Sequence, residues 1–189
     1  MLLYLRTSKT ASSTVNDWLG ADLSKNATHN ILFLNHGNNE NQVNKAIDNN
    51  WFIFTTVRNP FTRAISQWQQ SIKSLWLPRD TSFEDYMRWD YRKVNEHCIT
   101  HNCTLKEYLD PYFDKINKII KIEELELELR HLELQFKLGE RRIGFFNKAP
   151  YRTRFDYQGF YNKDRINLVL DKYSIDFETF NYSKSTIHI

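Results

Sequence analysis

Residues 51–57, WFIFTTV, constrain the fold more than any other stretch, because seven aromatic, aliphatic and β-branched residues follow one another without a charge. A strand with no polar alternation is buried on both faces, and such strands belong to parallel sheets covered by helices. This one should be central. Arg58, Asn59 and Pro60 close it, with Asn59 suited to an N-cap and Pro60 to the first helical position. The spacing of Phe61, Ile65, Trp68 and Ile72 predicts a helix buried on that face, with Arg63 and Ser66 on others.

Residues 2–19, LLYLRTSKTASSTVNDWL, repeat the strand-to-helix layout. A short apolar run turns polar and cationic at Arg6, Thr7, Ser8, Lys9 and Thr10, and Val15, Trp18 and Leu19 recur at helical spacing behind Ser12, Ser13 and Thr14. Strand, hydroxyl-rich loop, lysine and helix start form the layout of an anion cradle. The simpler reading is a capped turn with a solvated lysine. No glycine precedes Lys9, so the G-x-x-x-x-G-K-[ST] pattern of ordinary ATPases is not met. The 51–66 junction repeats the anion logic, since Arg58 offers a fork of donors and Ser66 a hydroxyl in the second helical turn. Two such junctions imply two anionic groups on one ligand.

Further strands are predicted at 31–34 and 118–122, and helices at 42–50, from Ser82 onward, at 123–138 and from 163 toward 182. The second strand ends in Asn35-His36-Gly37; a histidine there lies near the edge where ligands collect, although an ordinary turn histidine is the simpler account of position alone. Residues 90–110 read as an irregular loop over the site. In the helix at 123–138 the stripe of Leu125, Leu129, Leu132 and Phe136, broadened by Leu127 and Leu134, reads as core packing, with Gly139 as its stop. Arg141, Arg142, Lys148, Arg152 and Arg154 suggest a basic flap.

At 189 residues, the simplest organisation is one domain over 1–189. A net charge of +3 suits anionic ligands but is too mild to indicate nucleic acid. No run approaches the length of a membrane span, so the chain reads as soluble and unexported, and nothing indicates oligomeric state. His97, Cys98, His101 and Cys103 match no zinc-finger spacing; no metal is expected, and the two thiols could equally pair or remain reduced.

The motifs L-Y-L-R-T-S-K-T-A-S-S-T and F-T-T-V-R-N-P-F-T-R-A-I-S-Q-W resemble the 5′-phosphosulfate loop and the 3′-phosphate motif of PAPS-dependent sulfotransferases, in style nearest the carbohydrate enzymes such as heparan sulfate 2-O-sulfotransferases. Looser resemblance extends to K-I-I-K-I-E-E-L and to R-T-R-F-D-Y-Q-G-F-Y. One departure is Ser8, where the family usually has Pro. The resemblance implies a P-loop-NTPase-like three-layer α/β/α domain with a central, mainly parallel sheet. It implies PAPS as sulfate donor, PAP as product and a carbohydrate or other hydroxyl as acceptor. It assigns Lys9 and His36 to catalysis, Arg6, Lys9, Thr10, Ala11, Ser12, Ser13, Thr14, Arg58, Ser66, Arg152 and Arg154 to the nucleotide, and Asn95 and His97 to the acceptor. The family's carbohydrate enzymes are Golgi-anchored, so a chain of this length would be a cytoplasmic or otherwise soluble enzyme or a trimmed domain. An ATP-dependent kinase and a non-catalytic PAP-binding protein are the alternatives.

Overall fold

A computed structural model describes residues 1–20, 30–33, 40–89, 101–144 and 157–185. In chain order the elements are β1 (Leu2–Arg6), α1 (Ser12–Trp18), β2 (Asn30–Phe33), α2 (Glu40–Asp48), β3 (Phe52–Val57), α3 (Pro60–Lys73), α4 (Phe83–Arg88), α5 (Leu105–Leu109), β4 (Lys118–Lys121), α6 (Leu125–Phe136), α7 (Tyr157–Phe160) and α8 (Lys163–Thr179). Short 3-10 turns occupy Asp110–Lys115 and Ile122–Glu124. The chain divides into two units, residues 1–57 with 112–152, and residues 58–111 with 153–189.

The first unit is α/β. Its four described strands run parallel in the order β2-β1-β3-β4, which puts β3 in the interior as its composition demands. Leu2, Tyr4, Phe54 and Ile120 face α1 and α6, meeting Val15, Trp18, Leu125, Leu129 and Leu132. Leu3, Leu5 and Ile53 point the other way, onto Val43 and Ala46 of α2. Burial on both faces is why the strand carries no polar alternation. Tyr4 pairs with Phe54 in register and stacks on it at 5.1 Å, and Trp18 meets the Phe54 edge at 6.4 Å.

Two features of α6 differ from the expectation. The helix begins at Leu125 behind a 3-10 turn, and Leu127 and Leu134 face solvent instead of widening the core stripe. Helical phase explains the second point: Leu125, Leu129 and Leu132 already fill the inward face, and Leu127 and Leu134 fall opposite it. The helix ends at Lys137 in the left-handed region (φ 52°), two residues before Gly139 (φ 72°).

Arg141 belongs to the framework of this unit. Its guanidinium donates to the Trp18 carbonyl at the end of α1 (3.2 Å), and its amide donates to Glu133 Oε1 (3.0 Å). Glu133, buried on α6, also accepts from Trp18 Nε1 at 2.7 Å and from Arg130 Nη1 at 2.8 Å through Oε2. A basic stretch in sequence therefore begins with a residue whose cation meets the end of α1 and whose main-chain amide meets a buried carboxylate.

The second unit is helical. Phe61, Ala64, Ile65, Phe83, Tyr86, Met87, Tyr161, Val169, Tyr173 and Phe177 form its core. Asn59 and Ser82 cap α3 and α4 as their sequences predict, accepting from the amides of Phe61 and Asp85. Arg63, expected off the buried face, is only 1 % exposed. Its guanidinium meets Asp176 Oδ2 at 3.4 Å and the Cys103 carbonyl at 3.0 Å, and lies over the Tyr173 ring. Asp176 in turn accepts from the first amides of α5, Leu105 (2.8 Å) and Lys106 (2.9 Å). Arginine is assigned to solvent by type; only a carboxylate 113 residues away reverses the assignment. The described part of 90–110 likewise holds a helix, α5, started by a Thr104/Glu107 capping box in T-L-K-E.

Candidate anion-binding site at the carboxyl edge of the sheet

Parallel neighbours end at the same edge of a sheet, and β1 and β3 are neighbours, with Leu5 opposite Thr55. The chain leaves β1 into Thr7-Ser8-Lys9-Thr10 and leaves β3 into Arg58, the residue after Val57. From β1 the connection to β2 steps to one side and β3 lies on the other, so strand order reverses between β1 and β3. Crevices for ligands form at such reversals, outside the carboxyl ends of the strands.

A buried ring of hydroxyls fastens the loop to the end of β3. Thr7 Oγ1 donates to the Thr56 carbonyl (2.6 Å) and lies 2.6 Å from Thr10 Oγ1. Thr56 Oγ1 donates to the Thr10 carbonyl (2.8 Å) and lies 2.6 Å from the Tyr4 hydroxyl. Each hydroxyl has one proton. The order that satisfies every group runs from Tyr4 to Thr56 to the Thr10 carbonyl, and from Thr10 to Thr7 to the Thr56 carbonyl. Burial pushes the Tyr4 phenol up to about 12, against the opposing effect of its hydrogen bonds to Thr56 and Thr10. It stays a donor throughout the ordinary pH range.

The loop itself is bent through left-handed backbone at two non-glycine residues, Lys9 (φ 62°) and Ala11 (φ 61°). Glycine-like geometry is thus reached without glycine, at a strain of about 1–2 kcal/mol per residue. Ala11 is the N-cap of α1 with no side-chain cap, its carbonyl accepting from Thr14 at 3.0 Å. Ser12, Ser13 and Thr14 form the first turn; Ser12 and Thr14 are buried and Ser13 is exposed. The Thr10 side chain is fully buried within the hydroxyl ring, whereas Arg6, Ser8 and Lys9 are half-buried. The threonine hydroxyls therefore hold the shape of the loop in which Lys9 stands half-buried.

The second motif is described within its own unit. Arg58 Nε donates to Thr62 Oγ1 at 2.8 Å, and Thr62 Oγ1 donates to the Asn59 carbonyl at 3.1 Å. Thr62 and Ser66, four residues apart on α3, share a face, so the half-buried Arg58 is held beside the face that carries Ser66. A planar donor fork beside a serine hydroxyl suits a phosphate.

His36, Asn95, His97, Arg152 and Arg154 lie outside the described residues. Among the described residues no group of His, Cys, Asp and Glu could hold a metal ion, and no helix is long and apolar enough to cross a membrane. Sequence reasoning missed Thr56 and Thr62, and named Thr7 in the loop without its tie to β3. The signal was two threonines inside an otherwise apolar strand, and a hydroxyl midway between Arg58 and Ser66. Comparisons with family models, with curated proteins and with solved structures return no match to this chain.

Proposed function

We propose that the chain is a PAPS-dependent sulfotransferase with a P-loop-NTPase-like three-layer α/β/α core, moving a sulfuryl group to an acceptor hydroxyl, on a carbohydrate by preference, and releasing PAP. One observation carries the reading: the Lys9 loop and Arg58 follow neighbouring parallel strands at the reversal of strand order, with Thr56 of one strand bonded to the loop of the other. Each unit supplies one set of residues suited to an anionic group, a lysine loop in the first and an arginine with a serine in the second.

In this proposal Lys9 donates to the oxygen that bridges phosphate and sulfate, stabilising charge as it develops on the leaving group, and amides of Ala11 to Ser13 steady the phosphate. Arg58 and Ser66 take the 3′-phosphate. His36 accepts the proton of the attacking hydroxyl, a contribution of typically 10² to 10⁴ in rate. Arg6, Arg152 and Arg154 add positive charge around the nucleotide, and Asn95 and His97 contact the acceptor.

Thermal shifts with PAP, ADP and ATP, paired with transfer from labelled PAPS to a panel of glycans and other hydroxyl acceptors, test the proposal. Selective stabilisation by PAP together with transfer is expected. Arg58→Ala should weaken PAP binding about ten- to a hundredfold, the loss of one charge-assisted contact. Equal stabilisation by ADP would point to a kinase, and PAP binding without transfer to any acceptor would point to a binding protein.

A further inference from the structure

Thr62 is only 4 % exposed and sits on the first turn of α3, four residues after Arg58. Several bonds hold that turn. The Asn59 side chain accepts from the Phe61 amide at 2.9 Å, the Tyr161 hydroxyl donates to the Phe61 carbonyl at 2.6 Å, and the Arg63 amide donates to the Asn59 carbonyl at 2.9 Å. The backbone that carries Thr62 is therefore fixed by contacts that involve no ligand.

A threonine in a helix divides between two rotamers, one of which sets Oγ1 on a carbonyl of the preceding turn. Thr62 takes that one, donating to the Asn59 carbonyl at 3.1 Å. A hydroxyl has one proton, so toward Arg58 the same oxygen acts only as an acceptor, and it accepts from Nε at 2.8 Å. A guanidinium grips an oxyanion side-on, through Nε and one Nη, or end-on, through both Nη atoms. The bond to Thr62 occupies the side-on edge and sets the plane of the group.

We infer that Thr62 is a positioning residue for Arg58, orienting the guanidinium so that Nη1 and Nη2 meet a phosphate end-on. The inference rests on the proposed PAP site and names what sets its preference for a 3′-phosphate. Thr62 acts through Arg58 and does not touch the nucleotide. An arginine already ordered loses less side-chain freedom on binding, which is worth about three- to tenfold in affinity.

Titrations of the full chain with PAP and with AMP, which lacks only the 3′-phosphate, test it. The parent should bind PAP more tightly than AMP. Thr62→Val should weaken PAP about three- to tenfold and leave AMP unchanged, and Thr62→Ser, which keeps the hydroxyl, should retain PAP affinity. The fold should survive Thr62→Val, because the Asn59 carbonyl keeps the Arg63 amide and the half-buried Arg58 can turn Nε to water; Thr62→Ala serves as a second variant. In an Arg58→Ala background Thr62→Val should cost no further affinity, whereas a purely structural role would cost the same in both backgrounds. If the parent prefers PAP but Thr62→Val binds it as tightly or more tightly, the inference alone is overturned. An equal loss for AMP, or in the Arg58→Ala background, would overturn it too. A parent that does not distinguish PAP from AMP would overturn the proposed site and this inference with it.

Discussion

Thr56 serves two partners: it accepts from the Tyr4 hydroxyl and donates to the carbonyl of Thr10, across the gap between two strand ends. Thr56→Val keeps the shape and leaves both partners buried without it. Stability should fall by about 1–3 kcal/mol, read from urea unfolding, with most of the loss recovered in Thr56→Ser. Ala11 offers a change of opposite sign. Relief of left-handed strain, about 1–2 kcal/mol, exceeds the extra unfolded-state freedom of glycine, about 0.4–1 kcal/mol, so Ala11→Gly should raise the urea midpoint. At this scale the sequence displayed the donors of the loop without showing which were spent. Thr10 is consumed in holding the backbone while Lys9 stands half-buried, and the letters T-S-K-T do not by themselves separate those fates. The distinction lies in how Thr7, within the loop, and Thr56, a strand away, bond to Thr10.

Elements were legible where a local rule acts. The strand at 51–57 was marked by composition, α3 by Asn59-Pro60 and α4 by Ser82, because capping and burial leave their signs within a few residues. Helix α6 was legible to within two residues in extent and in its inward stripe of Leu125, Leu129, Leu132 and Phe136, but not in the width of that stripe, since leucine occupies both faces of L-E-L-E-L. What orients it includes Glu133. Burial alone would raise this carboxyl, but hydrogen bonds from Arg130, Trp18 and the Arg141 amide outweigh it and hold the group below the usual carboxylate range. A depressed folded value contributes stability above the unfolded value that is lost as pH falls through the folded one. Glu133→Gln should therefore be less stable than the parent at neutral pH. The gap, measured by denaturant unfolding across pH, should close as pH drops below about 4.

For the molecule as a whole, buried phenols set an alkaline limit. Tyr4 in the first unit, and Tyr161 and Tyr173 in the second, are all pushed up by burial. Raised folded values mean the stability is whole below the unfolded phenol value, about 10, and is lost as pH rises through the folded ones. Tyrosinate absorbance should thus show a class of phenols that titrates only with unfolding above pH ~10. Replacing Tyr161 by Phe should remove one member of that class and its hydrogen bond to the Phe61 carbonyl. The α/β character, the parallel sheet and the two strand-to-helix junctions were determined by the sequence, because hydrophobic runs, caps and prolines act over a few residues. Only the tertiary structure decided that β1 and β3 are neighbours, that Arg63 and Arg141 are structural cations, and that Leu127 and Leu134 face outward. The first two outcomes depend on groups far apart in the chain, whose meeting no local pattern encodes, and the third on which face of α6 the sheet covers.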